Sequence, residues 1–215
     1  MAADVPHPEF ATYAEESVPQ ASVGAPSKDG QLDLIFATDG DGETKLARDR
    51  SRAPFHVTGT LATDPHPDAT TVMAQSSSGG IVQGDRHDIT VTVGEDAIAT
   101  VTTGSAMKVF SMECNYGAAE RSLSVREGGH MAFVPSPTIL HSNARYCETT
   151  TITLEADATA VLAEIVVPGR LARGERFDFE RYLSRLRVRG PDGLLFEDTT
   201  HLDPSGADRN PTAPG

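Results

Sequence analysis

The chain has 215 residues, with 31 acidic against 18 basic side chains and a net charge of −13. This balance argues against nucleic acid and anionic membrane as partners, because both require a basic footprint, and it favours cations. The length suggests one domain, or one domain with tails, large enough to bury a core.

Only three basic residues are lysines, Lys28, Lys45 and Lys108. Scarce lysine, abundant threonine and acid excess fit a halophilic protein in a salt-filled cytosol, where screening makes self-repulsion tolerable. Cys114 and Cys147 form no CxxC pair and no disulfide framework. No signal-peptide h-region and no apolar run approaching ~18 residues is present, so a cytoplasmic location is expected.

In chain order, residues 1–30 are rich in proline and carboxylates and poor in large apolar side chains, which predicts a disordered acidic tail. Leu32, Leu34 and Phe36 then alternate with polar neighbours as a strand, and Asp39-Gly40-Asp41-Gly42 predicts a hairpin turn. Strands are also predicted around Phe55–Leu61 and Thr70–Ala74. Ile89, Val91 and Val93 alternate, as do Ile98, Thr100 and Thr102, and Gly94-Glu95-Asp96 between them predicts a β-hairpin. Further strands are expected near 107–110, 122–126, 131–134, 139–140, 150–154 and 161–167, with helix credible only at Val161–Ile165. Phe177 to Arg189 alternates, and Gly190-Pro191-Asp192-Gly193 turns it into Leu194–Phe196. Such strand density predicts an all-β fold, a single sandwich- or β-solenoid-like body over 31–204, with a flexible 205–215 tail. No fixed sequence period stands out.

Two glycine-rich motifs stand out. Gly79, Gly80 and Gly84 precede Asp85 with the spacing of a phosphate loop, but Asp85-Arg86 replaces its Lys-Ser/Thr and a strand follows where a helix is needed. Asp85 is then either a turn residue accepting backbone N–H groups or a functional carboxylate in a wet channel. Pro168–Glu175 holds Gly169, Arg170, Arg173, Gly174 and Glu175. It is either a bend in which Glu175 pairs with an arginine or a charged docking or channel surface. No HExxH, GxSxG or catalytic triad is present, so no catalytic residue is assigned. The missing aromatics and signal peptide argue against a polysaccharide-processing enzyme.

Five segments in order, namely LDLIF with its acidic turn, SSGGIVQGD, DAIATVTTGSAMKVF with Lys108, PSPTILHSNARY and PGRLARGERF, resemble the urease accessory protein UreD (UreH) family. The resemblance implies a β-rich, non-enzymatic factor of nitrogen metabolism. It would bind the urease apoprotein and the accessory protein UreF, which recruits the GTPase UreG. Nickel would cross its body in transit, with no tightly bound cofactor. Conduction asks for weak oxygen ligands, which nominates Asp85 and Glu175 as nickel-path residues. Gly79, Gly80, Gly84, Lys108, Gly169, Arg170 and Gly174 are the motif positions. The family pattern continues beyond Pro204, which predicts an unpaired sheet edge. A non-catalytic β-rich binding or structural module is the other reading.

Overall fold

Alternating apolar and polar side chains form strands wherever one face can be buried. The computed structural model describes residues 7–18 and 28–204, and sixteen strands lie among them. β1 (Asp29–Thr38) and β2 (Thr44–Arg52) make the expected hairpin. Its turn is fixed by the Asp39 carboxylate, which accepts the amides of Asp41 and Glu43 at 3.0 Å each. β3 (Phe55–Leu61) pairs antiparallel with β4 (Thr70–Ser76).

From β4 the chain winds as a solenoid, giving one strand per coil to each of three sheets. The first coil is β4, β5 (Gly80–Ile81) and β6 (Arg86–Val93). The second is β7 (Ile98–Thr103), β8 (Met107–Val109) and β9 (Gly117–Val125). The third is β10 (His130–Val134), β11 (Thr138–Leu140) and β12 (Arg145–Leu154). The fourth is β13 (Thr159–Leu162), β14 (Val166–Val167) and β15 (Arg181–Gly190). β16 (Gly193–Leu202) folds back antiparallel on β15. The sheets run β16-β15-β12-β9-β6-β1-β2, β13-β10-β7-β4-β3 and β14-β11-β8-β5.

Neighbouring coils pair in parallel: Thr70 lies opposite Ala99, Ile98 opposite His130, and His130 opposite Thr159. The repeat of about 30 residues is in the solenoid range, although no sequence period announces it. The expected hairpin at Gly94–Asp96 is therefore corrected. β6 and β7 belong to different sheets, and the turn is a corner that carries the chain from one to the other.

The coils stack apolar side chains inward. Leu34, Phe36, Val72, Val91, Val93, Val101, Leu123 and Val125 fill one core between the seven- and five-stranded sheets. Ile81, Val109, Leu140, Tyr146, Phe179 and Tyr182 fill a second beneath the short sheet. Each such side chain contributes roughly 1.5–3 kcal/mol of burial.

The N-terminal expectation also needs correction. Pro8–Phe10 is a 3-10 turn and α1 (Ala11–Glu15) a short helix, and Phe10 is fully buried. Phe10 packs with Tyr116, Ala118, Cys147 and Leu183 on the outer face of the seven-stranded sheet, an apolar site that composition could not reveal. The rest of the expected tail, 1–6 and 19–27, and the expected 205–215 tail lie outside the described residues. Strand β15 begins at Arg181, later than the alternation from Phe177 suggested, because Phe177 has φ 58° and Leu171–Arg173 forms a 3-10 turn.

Candidate functional site

The inward positions of β9 read Ala119, Arg121, Leu123, Val125, so an arginine occupies a core position between alanine and leucine. Its charge is answered from other elements. Arg121 donates from Nη2 to Glu148 Oε2 on β12 at 2.6 Å. It donates from Nη1 to Glu164 Oε1, at the corner between β13 and β14, at 2.9 Å. Tyr182 and Tyr146 donate their hydroxyls to Glu148 at 2.6 and 3.2 Å, and Ser184 donates to Glu164 at 3.1 Å. Parallel stacking makes this possible, since Glu148 sits opposite Ala119 and Ser184, and Thr150 opposite Arg121 and Leu186.

Arg121 and Glu148 are 6% and 2% exposed, whereas the Glu164 side chain keeps 24%, so the cluster reaches solvent at Glu164. Burial and then the Glu148 charge raise the Glu164 carboxyl above its ordinary range, with Arg121 opposing. For Arg121, burial works against the charge, but Glu148, Tyr146, Glu164 and Tyr182 together outweigh it and the guanidinium stays protonated. Burial, then Glu148, pushes both tyrosine hydroxyls up, so they remain donors. Through Arg121 and Tyr146 the cluster borders a cleft of about 280 Å³ that His87, Gly80, Met107 and Phe133 also line, while Glu148 and Glu164 stand outside its lining. One guanidinium against two carboxylates leaves the cluster with a net negative charge when both are ionised, which favours cations at its exposed member, Glu164.

The expected site residues fall elsewhere. Asp85 is fully buried before β6, and its carboxylate accepts the amides of Lys28 at 2.8 Å and Val82 at 3.1 Å. That closes the turn and ties the start of the body to the first coil. Glu175 is held by Arg170 through two hydrogen bonds, one from Nε at 2.7 Å, and this pairing lowers its carboxyl pKa. His141 lies within electrostatic reach of both.

The glycines serve backbone packing. A Cβ on Gly80 would lie 2.2 Å from the Lys108 carbonyl oxygen, which is why β5 can approach β8. A Cβ on Gly169, at φ +139°, would lie 1.9 Å from the Glu175 carbonyl oxygen. Gly79 and Gly84 flank the first short-sheet strand, Gly174 ends the Leu171–Arg173 turn, and Lys108 is exposed on β8. Cys147 lies under Phe10, with its thiol pushed by burial to about 12. Among the described residues no group of three His, Cys, Asp or Glu side chains could hold a metal ion. No described helix is long and apolar enough to cross a membrane. The sequence motifs led away from Arg121, Glu148 and Glu164. The signal that could have found the first two is a charged residue in phase with inward apolar neighbours.

Comparison with known proteins matches residues 28–214 to the family described as UreD urease accessory protein. The chain is similar to urease accessory protein UreD of Haloarcula marismortui, at 58% identity over 215 residues, covering all of this chain and 71% of that protein. It is 44% identical over 199 residues to the Natronomonas pharaonis UreD, covering 93% and 67% of the two chains. It is 36% identical over 201 residues to that of Haloquadratum walsbyi, covering 94% and 66%. The chain thus spans about two thirds of the length of these relatives. A match over most of the chain, on a solenoid whose coils follow the motif order, places it in the UreD urease accessory protein family.

Proposed function

We propose that the chain is a halophilic, cytoplasmic urease maturation factor. It acts as a non-enzymatic scaffold that binds the urease apoprotein and, with UreF and the GTPase UreG, delivers nickel to the urease active site. The observation that carries the nickel part is the Arg121–Glu148–Glu164 cluster, two carboxylates about one guanidinium, which reaches solvent at Glu164. A carrier must attract a cation and release it. Carboxylate, hydroxyl and water ligands hold nickel more weakly than a closed thiolate or imidazole set. Glu164 is the entry carboxylate on this reading, being partly exposed and joined to the buried pair. Glu175, beside His141, is a second path carboxylate, and Asp85 a third.

The other reading, a β-rich binding module that carries no nickel, has one observation in its favour. The Asp85 and Glu175 carboxylates are both already engaged, one by backbone amides and the other by Arg170.

The test is co-expression with urease subunits, UreF and UreG, followed by capture in high salt and assay of urease nickel. The wild-type chain should capture UreF and the apoprotein. The Glu164→Gln/Glu175→Gln variant should fold and capture both, yet leave urease poor in nickel, partly restored by excess nickel. Absence of capture by the wild type would sink the scaffold. Full nickel loading with the double variant would remove these carboxylates from the path.

A further inference from the structure

The cleft beside Arg121 is lined by β1, β3 and the first three coils, and it holds a polar atom with nothing to bond. Among the described residues two buried side-chain nitrogens lack a hydrogen-bond partner, His87 Nε2 and Arg181 Nε, and of the two residues His87 lines the cleft. His87 is 6% exposed, on an inward position of β6. At the same register stand Gly30 on β1 and Ala119 on β9, small residues that leave the imidazole room. A Cβ on Gly30 would lie 2.9 Å from His87 Cδ2, and the Phe55 ring packs edge-on against the imidazole, so the ring is held in place by packing. Other polar groups on the lining are already engaged. Ser136 donates its amide to the Thr103 hydroxyl at 2.8 Å and its own hydroxyl to the Thr103 carbonyl at 3.1 Å. His56 and Gln75 bond each other at 2.8 Å, and Arg121 is committed to Glu148 and Glu164. A buried polar atom without a partner is costly and uncommon, so His87 Nε2 marks the place where an occupant is missing.

The lining selects the class of that occupant. Leu32, Val101, Phe55, Phe133 and Tyr146 give the cleft an apolar and largely aromatic body. Its volume of about 280 Å³ stands at the low end for small-molecule sites and suits one ring or two. Charge of either sign is unfavourable there. An anion would approach a cluster in which two carboxylates outnumber one guanidinium, and a cation would meet that guanidinium on the wall. Burial lowers the His87 pKa from 6.5 to about 4, so the imidazole is neutral at pH 7 and offers no counter-charge. Its Nε2 either donates or accepts, according to tautomer, and a hydroxyl can answer both. A water would meet the polar need alone. An aromatic ring bearing a hydroxyl meets it and also covers the aromatic lining.

We infer that the cleft is a binding site for a small neutral aromatic alcohol, a phenol, whose hydroxyl pairs with His87 Nε2 and whose ring takes the apolar lining. This inference stands apart from nickel delivery, since neither Glu148, Glu164, Glu175 nor Asp85 lines the cleft. The experiment is titration of the full chain with phenol, and with toluene as the same ring lacking the hydroxyl, followed by calorimetry and by the His87 imidazole nitrogen resonances. Phenol should bind at a single site with a dissociation constant of about 1 mM, roughly tenfold tighter than toluene, because its hydroxyl supplies the missing partner. Benzoate, the charged analogue, should bind at least about tenfold more weakly than phenol. The His87 resonances should move as phenol fills the site. His87→Leu should abolish the preference for phenol over toluene, with circular dichroism confirming the fold. If that variant does not fold, the His87 resonances of the parent decide. A parent chain that binds neither phenol nor toluene overturns the inference and leaves water as the occupant. So do equal affinities for the two rings, benzoate binding as tightly as phenol, a phenol preference that His87→Leu retains, or His87 resonances that stay still at saturation.

Discussion

His87 shows how one inward position can set a pH limit on the fold. It lies on β6, 6% exposed, with the Phe55 ring edge-on at a centroid distance of 4.8 Å and its Nε2 unpartnered. Burial lowers its pKa from 6.5 to about 4. Asp85 opposes that shift, and Lys28 and Arg121 add to it. The charged form is therefore disfavoured in the folded state. Between pH 6.5 and about 4 the unfolded chain takes up a proton that the folded chain does not, so stability falls as pH drops through that window. The full shift corresponds to about 3 kcal/mol, an upper bound for one residue. His87→Leu should flatten the urea midpoint across the window relative to the parent, and equal pH slopes in the two proteins would contradict this. Glu164, whose raised pKa acts in the opposite sense, is common to both and drops out of the comparison. Side-chain roles were only partly legible at this scale. The engagement of Asp85 by backbone amides was one of two readings its turn allowed. Arg121 and Glu148 sit at inward phase with Leu123 and Tyr146, but their meeting depends on coil stacking that no local spacing records.

At the scale of elements, the Pro8–Glu15 segment is a strap laid across the coils. Phe10 enters the apolar site over Cys147, and the rest is held by polar contacts. Arg145 bonds Glu16 at 2.9 Å and Glu180 at 2.7 Å, Arg181 bonds Glu9 at 2.9 Å, and Tyr13 donates to Glu180 at 2.9 Å. Truncating a buried phenylalanine ordinarily costs about 3–5 kcal/mol. Here the loss is capped, because a strap can lift without unfolding the body. Phe10→Ala should therefore lower the melting temperature modestly and greatly accelerate thiol labelling of Cys147, in a Cys114→Ser background, under native conditions. Labelling as slow as in the parent would mean that the sheet alone shields the thiol. Strand positions were legible because alternation follows burial directly, as at Leu32–Phe36 and Ile89–Val93. Connections were not. Gly94–Asp96 turns a hairpin or a solenoid corner with the same residues, and the partner of each parallel strand lies a whole coil away. The strap was hidden because Phe10 and Tyr13 stand among prolines and carboxylates, while its site is assembled from Ala118, Cys147 and Leu183 on three different strands.

Over the whole molecule, two kinds of electrostatics act with opposite salt responses. The surface carries most of a net charge of −13, whose self-repulsion opposes the compact state. Surface pairs such as Arg126–Glu155 and Arg185–Glu197 offset it weakly, because exposed pairs are worth about 0–1 kcal/mol. Raising salt from ~0.1 M to ~1 M shortens the screening length from about 10 Å to about 3 Å, which cancels the long-range repulsion more than the short contacts. The melting temperature should therefore rise with KCl over this range. The Arg121–Glu148 pair is buried and screened far less than the surface pairs, so its contribution should follow salt much less than theirs. Arg121→Met leaves two carboxylates facing each other in the core, and breaking a buried pair in this way costs about 3–5 kcal/mol. Measured by denaturant midpoints at both salt concentrations, the penalty should be nearly the same while both proteins gain stability from KCl. A penalty that shrinks sharply in high salt would mean that the cluster is solvated through the Glu164 corner.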